Sequence, residues 1–284
     1  MDKLSRDALR ELFSSQLEDW QQARDNYRAL GGVKVKNYIL DGFPVKVQFN
    51  PARIVSSAAK VDNKSISERK CFLCGENRPP VQQGLEFDGV SGTKYIVLIN
   101  PFPIFPRHLT IPDIEHTRQQ IKGRFSDMLK LALELPDYIV FYNGPKCGAS
   151  APDHMHFQAG SRGLLTIEKN LDKVNKFAKS AIVIKSNTIG AALEEFEEIY
   201  NVLPVKEGEW EPMLNILAWY EEMWKIVVFP RKSHRPSCFF AEGEDNILIS
   251  PASVDLGGVF ITPLEKDFNK INEEDIKKIL EEIL

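Results

Sequence analysis

Apolar residues recur at helical spacing through residues 3–29 and stop at a pair of glycines. Leu9 and Leu12 are typical of this apolar stripe, and Gly31 and Gly32 follow it. The spacing predicts one amphipathic helix that the glycines end. We expect this helix to pack on the body of the protein or to form a contact in a homodimer.

Alternating apolar and polar positions follow the helix. The segments VKVKNYIL and FPVKVQFN flank Asp41-Gly42, and this pattern predicts a β-hairpin with a tight turn. After Asn50-Pro51, Arg53 begins a second extended stretch that ends in the polar run 62–70. The first 70 residues therefore combine a helix with an antiparallel pair of strands.

Short apolar runs and loops alternate through the next 75 residues or so. YIVLIN and YIVFYNG are predicted to be strands, and FPRHLTIPDIEHTRQQI is predicted to form a strand, a turn and the start of a helix over residues 113–135. The Pro-rich segment NPFPIFP between them can form only an irregular loop or a sheet edge. At that bend, Asn100, Phe102 and Phe105 either hold a nucleoside or are core residues at a turn.

The chain after Gly163 shows a second series of elements. Residues 165–203 are predicted to be helical at both ends, with AIVIKS as a strand between them. Two strands flank Glu221-Glu222, two short strands flank Gly257-Gly258, and a charged helix is predicted over residues 272–284. FPRKSH in this half resembles FPRHLTIP in the first half, which indicates a degenerate duplication.

The composition excludes several classes of protein. The chain has 284 residues, of which 43% are hydrophobic and 27% charged, and its net charge is −4. This balance provides no general attraction to nucleic acid or to anionic membranes. The N-terminus is charged and no run reaches the roughly 18 apolar residues of a membrane span, so we expect a cytoplasmic protein. Any bound polyanion then requires local Arg and Lys side chains.

The stretch 142–160, YNGPKCGASAPDHMHFQAG, contains the clearest candidate chemistry. At alternating positions of a predicted strand, His154, His156 and Gln158 project from one face, and Met155 and Phe157 from the other. The preceding loop of small residues can bring backbone N–H groups close to an anion. A single strand histidine is more often structural, but two on one face behind such a loop favour a site. Further candidate substrate-binding residues here are Asn143, Lys146, Gly148 and Ser150.

The H-x-H-x-Q pattern behind a G-A-S loop resembles the transferase branch of the histidine-triad (HIT) superfamily. This branch includes galactose-1-phosphate uridylyltransferases, diadenosine tetraphosphate phosphorylases and GDP-L-galactose phosphorylases. Gln158 occupies the place of the third histidine of the hydrolase branch. GAS and HFQA are most similar to the two phosphorylase groups, whereas uridylyltransferases carry proline at the position of Met155. The C-terminal Pro251-Ala252, Gly257-Gly258 and Lys266-Asp267-Phe268 resemble the closing segment of the phosphorylases.

The resemblance covers roughly residues 45–270 and implies a fold. The expected class is α+β, with a HIT-like antiparallel sheet, flanking helices and two degenerate HIT-like halves. Residues 1–163 would form the N-terminal helix and the catalytic half, and residues 164–284 the half that completes the fold. An activity on nucleotides follows from the same resemblance.

Cys71-x-x-Cys74 predicts either a metal site or a redox pair. No βαβ pattern surrounds it, which disfavours a thioredoxin-like motif, and His108, His116 and His154 are the candidates for completing a tetrahedral site. The resemblance to uridylyltransferases assigns His116 and His154 as the third and fourth ligands. It implies zinc, with iron as the alternative, and leaves His108 as structural or near the nucleotide. The same comparison places Arg53 and Arg78 near the substrate phosphates.

The mechanism implied by the resemblance is covalent. His156 would attack the α-phosphorus of a nucleotide, Gln158 would donate its amide to a phosphoryl oxygen, and His154 would orient the strand. Ser150, the Gly148 and Ala149 amides and Lys146 would bind the outgoing or incoming phosphate. We expect a nucleotidyltransferase or phosphorylase acting on a nucleoside diphosphate sugar, with GDP-hexose favoured and phosphate or a sugar 1-phosphate as acceptor.

Three alternatives remain open from the sequence. The first is a dinucleoside polyphosphate phosphorylase, which the same residues would serve. The second is a catalytically silent nucleotide-binding protein of the same fold, although retention of both histidines and the glutamine argues against it. The third is a zinc module that binds nucleic acid, which the single C-x-x-C and the acidic balance disfavour.

Overall fold

The computed structural model describes residues 2–54, 58 and 61–284. The strands found there are β1 (Lys34–Leu40), β2 (Phe43–Phe49), β3 (Gly84–Asp88), β4 (Lys94–Ile99), β5 (His108–Pro112), β6 (Tyr138–Asn143), β7 (His156–Ser161), β8 (Ile182–Ser186), β9 (Leu214–Glu221), β10 (Met223–Pro230) and β11 (Val259–Thr262). Together they form two separate sheets.

The larger sheet carries the site. Within the described residues it has eight strands in the order β3-β4-β5-β7-β6-β9-β10-β8, and every neighbouring pair is antiparallel. The smaller sheet has the order β1-β2-β11, in which β11 runs parallel to β2. Helices accompany both sheets, so the predicted α+β class is confirmed.

The helices lie mostly at the two ends of the chain and between strands. They are α1 (Arg6–Asp19), α2 (Gln21–Ala29), α3 (Asn63–Glu68), α4 (Phe125–Glu134), α5 (Val174–Phe177), α6 (Ile189–Val202), α7 (Ser237–Phe240), α8 (Ser253–Leu256), α9 (Glu265–Lys270) and α10 (Glu273–Ile283). No helix among these described segments is long and apolar enough to cross a membrane.

The larger sheet is covered on both faces, and the period of two sorts its residues between two cores. On β6, Val140 and Tyr142 belong to the core that includes α1, α4 and α6. Ile139 and Phe141 of the same strand point to the other core, which the smaller sheet and α10 complete. Burial on both faces explains why these strands are near-continuous apolar runs in the sequence.

Both predicted hairpins are present. Asp41 and Gly42 have φ of 50° and 86°, which suits the tight turn between β1 and β2. Glu222 has φ of 61° between β9 and β10. The helix predicted over residues 272–284 is also present, as α10.

Several predicted boundaries are wrong. The helix predicted over residues 3–29 is broken at Trp20, whose extended backbone separates α1 from α2. The helix predicted over residues 113–135 begins only at Phe125. Residues before Phe125 bond to the ends of β6 and β7 instead: the buried Gln119 side chain donates to the carbonyls of Asn143 and His156.

Other polar and apolar runs also differ from the prediction. The run 62–70 contains the short helix α3, and Pro51–Arg53 is a 3-10 turn where an extended stretch was predicted. Residues 55–57, 59 and 60 of that stretch lie outside the described residues. The segment NILIS forms no strand in the described structure, so β11 is the single strand beside Gly257-Gly258.

The two halves of the chain share the larger sheet. β6 of the first half pairs with β9 of the second from Val140–Ala218 to Asn143–Asn215, and the second half adds β9, β10 and β8 to the same sheet. A duplication that relates the halves, and the division at residue 163, stay predictions.

Candidate active site

A cavity of about 490 Å³ lies against the larger sheet, a volume typical of small-molecule sites. Its floor includes one row of residues across four neighbouring strands. Leu98 pairs with Thr110, Thr110 with Gln158, and Gln158 with Phe141, and all four line the cavity. The row places one face of β4, β5, β7 and β6 along the floor of one cavity.

His156 is buried at the start of β7 and lines this cavity. Its Nδ1 lies 2.8 Å from the carbonyl oxygen of His154. Because a carbonyl can only accept, Nδ1 carries the proton and Nε2 keeps a lone pair. Burial lowers the pKa of His156 to about 4, although the bond to His154 opposes this. The side chain is therefore a neutral imidazole.

Gln158 is oriented by a histidine that the sequence left without a defined role. The backbone N–H of Ile104 donates to Nδ1 of His108 at 3.2 Å, so Nε2 of His108 carries the proton. That Nε2 donates to Oε1 of Gln158 at 3.1 Å. Burial lowers the pKa of His108 to about 3, which keeps it neutral. With its oxygen bound, Gln158 has its amide N–H₂ left for the cavity.

Asn143 is fixed in the same way by residues of the second half. Its Oδ1 accepts from Nδ2 of Asn215 at 2.8 Å, and from the backbone N–H and hydroxyl of Ser253 at 2.9 and 2.7 Å. Arg231 in turn donates to Oδ1 of Asn215 at 2.7 Å. Asn143 lines the cavity, so its amide N–H₂ is also left for a ligand. No local pattern in the sequence pointed to Asn215, Ser253 or Arg231.

The loop between β6 and β7 adds Gly148 and Ser150 to the cavity lining. Gly148 has φ of 95°, and a Cβ at this position would lie 2.6 Å from Cβ of Ala252. Glycine is therefore required for both the backbone conformation and the close packing of this loop on residue 252. The contact brings the small-residue loop of the first half against Ala252 of the second.

Of the three cationic side chains predicted to bind phosphate, one lines the cavity and two do not. Arg53 lines the cavity and donates to the carbonyl of Phe102 at 2.7 Å, and burial lowers its pKa to about 10. Lys146 does not line it and pairs with Glu209 at 3.5 Å. Arg78 does not line it either, and its Nη1 is buried without a hydrogen-bond partner among the described residues. Arg69, which pairs with Asp153, takes a place in the lining instead.

Two of the three residues suggested to hold a nucleoside, Asn100 and Phe102, line the cavity. The amide of Asn100 is held between the hydroxyl of Thr110 and the backbone N–H of Phe102, both at 2.9 Å. Phe105 is fully buried and packs on Phe141, so it is a core residue.

Four predicted metal ligands, Cys71, Cys74, His116 and His154, meet beside the cavity, with their ligand atoms all within 4.8 Å of one another. Nδ1 of His154 lies 3.3 and 3.6 Å from the two sulfurs, and Nδ1 of His116 lies 3.1 Å from Sγ of Cys74. Edges of about 3.3 to 3.8 Å are those of a tetrahedral zinc site with two sulfurs and two nitrogens. The donor set therefore fits zinc.

His154 serves this cluster rather than the cavity. β7 begins only at His156, so His154 lies outside the regular strand and does not share its face as predicted. Its Nε2 donates to the carbonyl of Asp113 at 2.8 Å, which leaves Nδ1 as the atom that could bind a metal. Its own carbonyl holds Nδ1 of His156. One residue of the cluster is thus hydrogen-bonded directly to the imidazole that lines the cavity.

A family model described as Domain of unknown function (DUF4922) matches residues 12–161. The chain belongs to the DUF4922 family. The matched region contains the cluster, the small-residue loop and β7, and a second model, GDPGP1-like, C-terminal domain, matches residues 165–284. No curated protein sequence matches the chain.

Three solved structures of yeast Ap4A phosphorylase Apa2 share the fold of this DUF4922 protein. The first of these structures is 17% identical over 92% of this chain and 95% of that one, with a TM-score of 0.60. The complex with AMP is 16% identical over 94% and 95%, with a TM-score of 0.59. The complex with Ap4A is 16% identical over 92% and 95%, with a TM-score of 0.54. The HIT-like fold predicted from the sequence is confirmed.

Proposed function

We propose that this protein is a nucleotidyl-transferring phosphorylase that acts on a nucleoside diphosphate sugar, with GDP-hexose favoured. The observation that carries the proposal is the neutral imidazole of His156 in the cavity, with Nδ1 bound to the His154 carbonyl and the amides of Gln158 and Asn143 nearby. The GDPGP1-like character of residues 165–284 supports a GDP-hexose.

The reaction is two displacements at one phosphorus. Nε2 of His156 attacks the α-phosphorus, and an N–P bond forms as the P–O bond to the β-phosphate breaks. Hexose 1-phosphate leaves. Nδ1 of His156 keeps its proton, and the His154 carbonyl stabilises the positive charge that the ring gains. An incoming phosphate then attacks the same phosphorus, releases the imidazole and carries the nucleotide away as a nucleoside diphosphate.

The carboxamides of Gln158 and Asn143 contribute where charge develops. Both have their oxygens held by protein donors, so each offers N–H groups to the non-bridging oxygens of the phosphorus. Gly148 and Ser150 line the region where the departing and incoming phosphates would lie, and Arg53 supplies positive charge to the same cavity. Donors fixed before the reaction need no reorganisation during it.

Zinc is proposed as the resident metal, held by Cys71, Cys74, His116 and His154. Bound there it would serve as a structural crosslink among three segments, with iron as the alternative metal. Burial raises the pKa of Cys74, and the adjacent Cys71 raises it further. A divalent cation would relieve this repulsion between the sulfurs.

The second candidate is a dinucleoside polyphosphate phosphorylase. The fold shared with yeast Ap4A phosphorylase Apa2 favours it. His156 would then accept AMP, and the leaving group would be a nucleoside triphosphate. The two candidates differ in the nucleotide that becomes attached to His156.

The test is intact-protein mass after brief incubation with GDP-hexoses, UDP-hexoses, ADP-glucose or diadenosine tetraphosphate. We expect a GMP adduct from a GDP-hexose in the wild type and none in His156→Ala. An AMP adduct from diadenosine tetraphosphate would instead establish the second candidate. His234→Ala is the matched control, because this histidine does not line the cavity. A folded wild type that forms neither adduct nor a phosphorolysis product would refute both.

A further inference from the structure

The N-terminal helices α1 and α2 are bonded to the segments that surround the cavity. Gln16 of α1 is fully buried, and its amide binds both backbone groups that flank residue 82. It donates to the carbonyl of Val81 at 2.9 Å and accepts from the N–H of Gln83 at 3.0 Å. On α2, Asn26 donates to the carbonyl of Pro101 at 2.7 Å. The helices are therefore fixed to segments that line the cavity.

The break between these helices supplies two of the lining residues. Trp20 adopts an extended conformation between α1 and α2, and both Trp20 and Gln22 line the cavity. Trp20 is almost fully buried, whereas Gln22 on the first turn of α2 is exposed. A continuous helix would turn successive side chains by about 100° and would not present residues 20 and 22 together.

Gln82 contributes an oriented acceptor to the same wall. Its Nε2 donates to the carbonyl of Ile99 at 3.2 Å. This bond orients the amide, and Oε1 remains as an acceptor for a ligand. Both of its flanking residues are held by Gln16, which restricts the position of its backbone. Gln82 also lines the cavity. The acceptor is thus fixed from both its backbone and its side chain.

The position of this wall relative to His156 follows from the sheet order. Leu98 on β4 is two strands from Gln158 on β7, which corresponds to about 10 Å at the usual strand spacing. Gln82 bonds to the residue that follows Leu98, and Pro79 and Phe102 also line the cavity. A nucleotide whose phosphorus lies at Gln158 would therefore reach this wall with its base, because a ribose and a base together span about this distance. The base would meet the apolar surfaces of Pro79 and Phe102 and the amide of Gln82.

We infer that Trp20, Gln22 and Gln82 form the nucleobase subsite, with Gln82 Oε1 accepting an N–H from the edge of the base. This inference rests on the proposed function, because it takes the phosphoryl end of the ligand to lie at His156. The base lies against Trp20 and the apolar wall, and Gln22 closes the subsite from the solvent side. Gln82, together with the residues at the break between α1 and α2, thereby determines which nucleotide the protein accepts.

The test uses nucleoside 5′-monophosphates and ribose 5-phosphate, which lacks the base. Calorimetric titration of the full-length protein with GMP, AMP, UMP, CMP and ribose 5-phosphate gives the contribution of the base as a ratio of dissociation constants. We expect Gln82→Leu to reduce this ratio for the preferred nucleotide by about 10- to 100-fold, and Gln22→Leu to reduce it less. Affinity for ribose 5-phosphate should stay unchanged.

The chain offers two matched controls. Gln21 and Gln83 are exposed neighbours of Gln22 and Gln82, and neither lines the cavity. Gln21→Leu and Gln83→Leu should therefore keep the wild-type ratio. The inference is refuted if Gln82→Leu keeps that ratio, if the control variants lose as much, or if the wild type binds ribose 5-phosphate as tightly as every monophosphate.

The outcome is independent of the adduct experiment. A His156 adduct in a protein whose base preference ignores Gln22 and Gln82 would refute the subsite and leave the proposed function standing. A base preference that depends on Gln82 in a protein that forms no adduct and no product would support the subsite and refute the proposed function.

Discussion

At the scale of single residues, the site depends on which atom of each polar side chain is already bound. His156 and Gln158 were identifiable from their alternation along a strand. The sequence could not show that the His154 carbonyl fixes the protonated nitrogen of His156. The orientation of Asn143 depends on Asn215 and Ser253, which are 72 and 110 positions away. Such partners leave no periodic signal because their contacts exist only in the folded sheet.

His108 is predicted to act as a positioning residue for Gln158. His108→Leu removes the donor to Oε1 of Gln158, so the carboxamide can rotate and present its oxygen to the phosphorus. We expect kcat to fall by about 10- to 100-fold with little change in KM. Steady-state kinetics with the substrate found in the adduct experiment measures this split.

The control for this prediction is His108→Gln. A glutamine can place its amide nitrogen near the position of Nε2 and again donate to Gln158, so much of kcat should return. A general loss of packing around Phe105 and Phe141, which contact the His108 ring, would lower the melting temperature of both variants equally. Equal losses of kcat in the two variants at unchanged melting temperature would contradict the positioning role.

At the scale of elements, the errors in the sequence prediction have a common cause. The apolar pattern of residues 3–29 is helical throughout, but the bonds from Gln16 and Asn26 to other segments fix α1 and α2 separately. Residues 113–124 have helical composition as well. Their backbone instead pairs with the loop before β7, as the bonds from Met155 to Thr117 and from Gln119 to Pro152 show. Tertiary contacts overrode local propensity in both places.

The same irregular segment contributes one of the four predicted metal ligands. Cys71 and Cys74 come from the segment after α3, His116 from the segment before α4, and His154 from the loop before β7. The C-x-x-C spacing alone showed only that a site was possible. The resemblance assigned the remaining ligands, and the four donor atoms lie within 4.8 Å of one another.

Metal removal is predicted to affect both stability and activity. The wild type should contain about one zinc ion per chain by mass spectrometry of the metal, and Cys74→Ser should lose most of it. We expect a lower melting temperature in this variant, because three chain segments lose their crosslink. We also expect kcat to fall, since the His154 carbonyl that binds Nδ1 of His156 belongs to a ligand residue.

Cys238→Ser is the control for the metal prediction. Cys238 lies in α7 and is not part of the cluster, so its replacement should leave metal content and melting temperature close to the wild type. A wild-type protein that binds no zinc or iron after refolding with either metal would contradict the assignment. So would a Cys74→Ser variant that keeps full metal content.

At the scale of the whole molecule, the sequence indicated two similar halves, and the structure joins them through one sheet. β6 is buried along its full length, and β9 along all but its last two residues. The order of strands could not be read from the chain, because β6 and β9 pair across about 75 residues of intervening sequence. The site itself crosses the same boundary, since Asn215 and Ser253 of the second half orient Asn143 of the first.

This continuity predicts that the chain unfolds as one unit. The second half contains three of the four tryptophans, Trp210, Trp219 and Trp224, and the first half contains Trp20. Tryptophan fluorescence therefore reports mainly on the second half, whereas far-UV circular dichroism reports on both. We expect the two urea unfolding curves to coincide. We also expect a fragment of residues 1–163 to be unfolded or aggregated, because it would expose the edge of β6.

Two separated midpoints, or a soluble fragment with a cooperative transition of its own, would show that the halves are independent. Coexpression of residues 1–163 with 164–284 is the control, since pairing of β6 with β9 should restore solubility if the exposed edge is the cause.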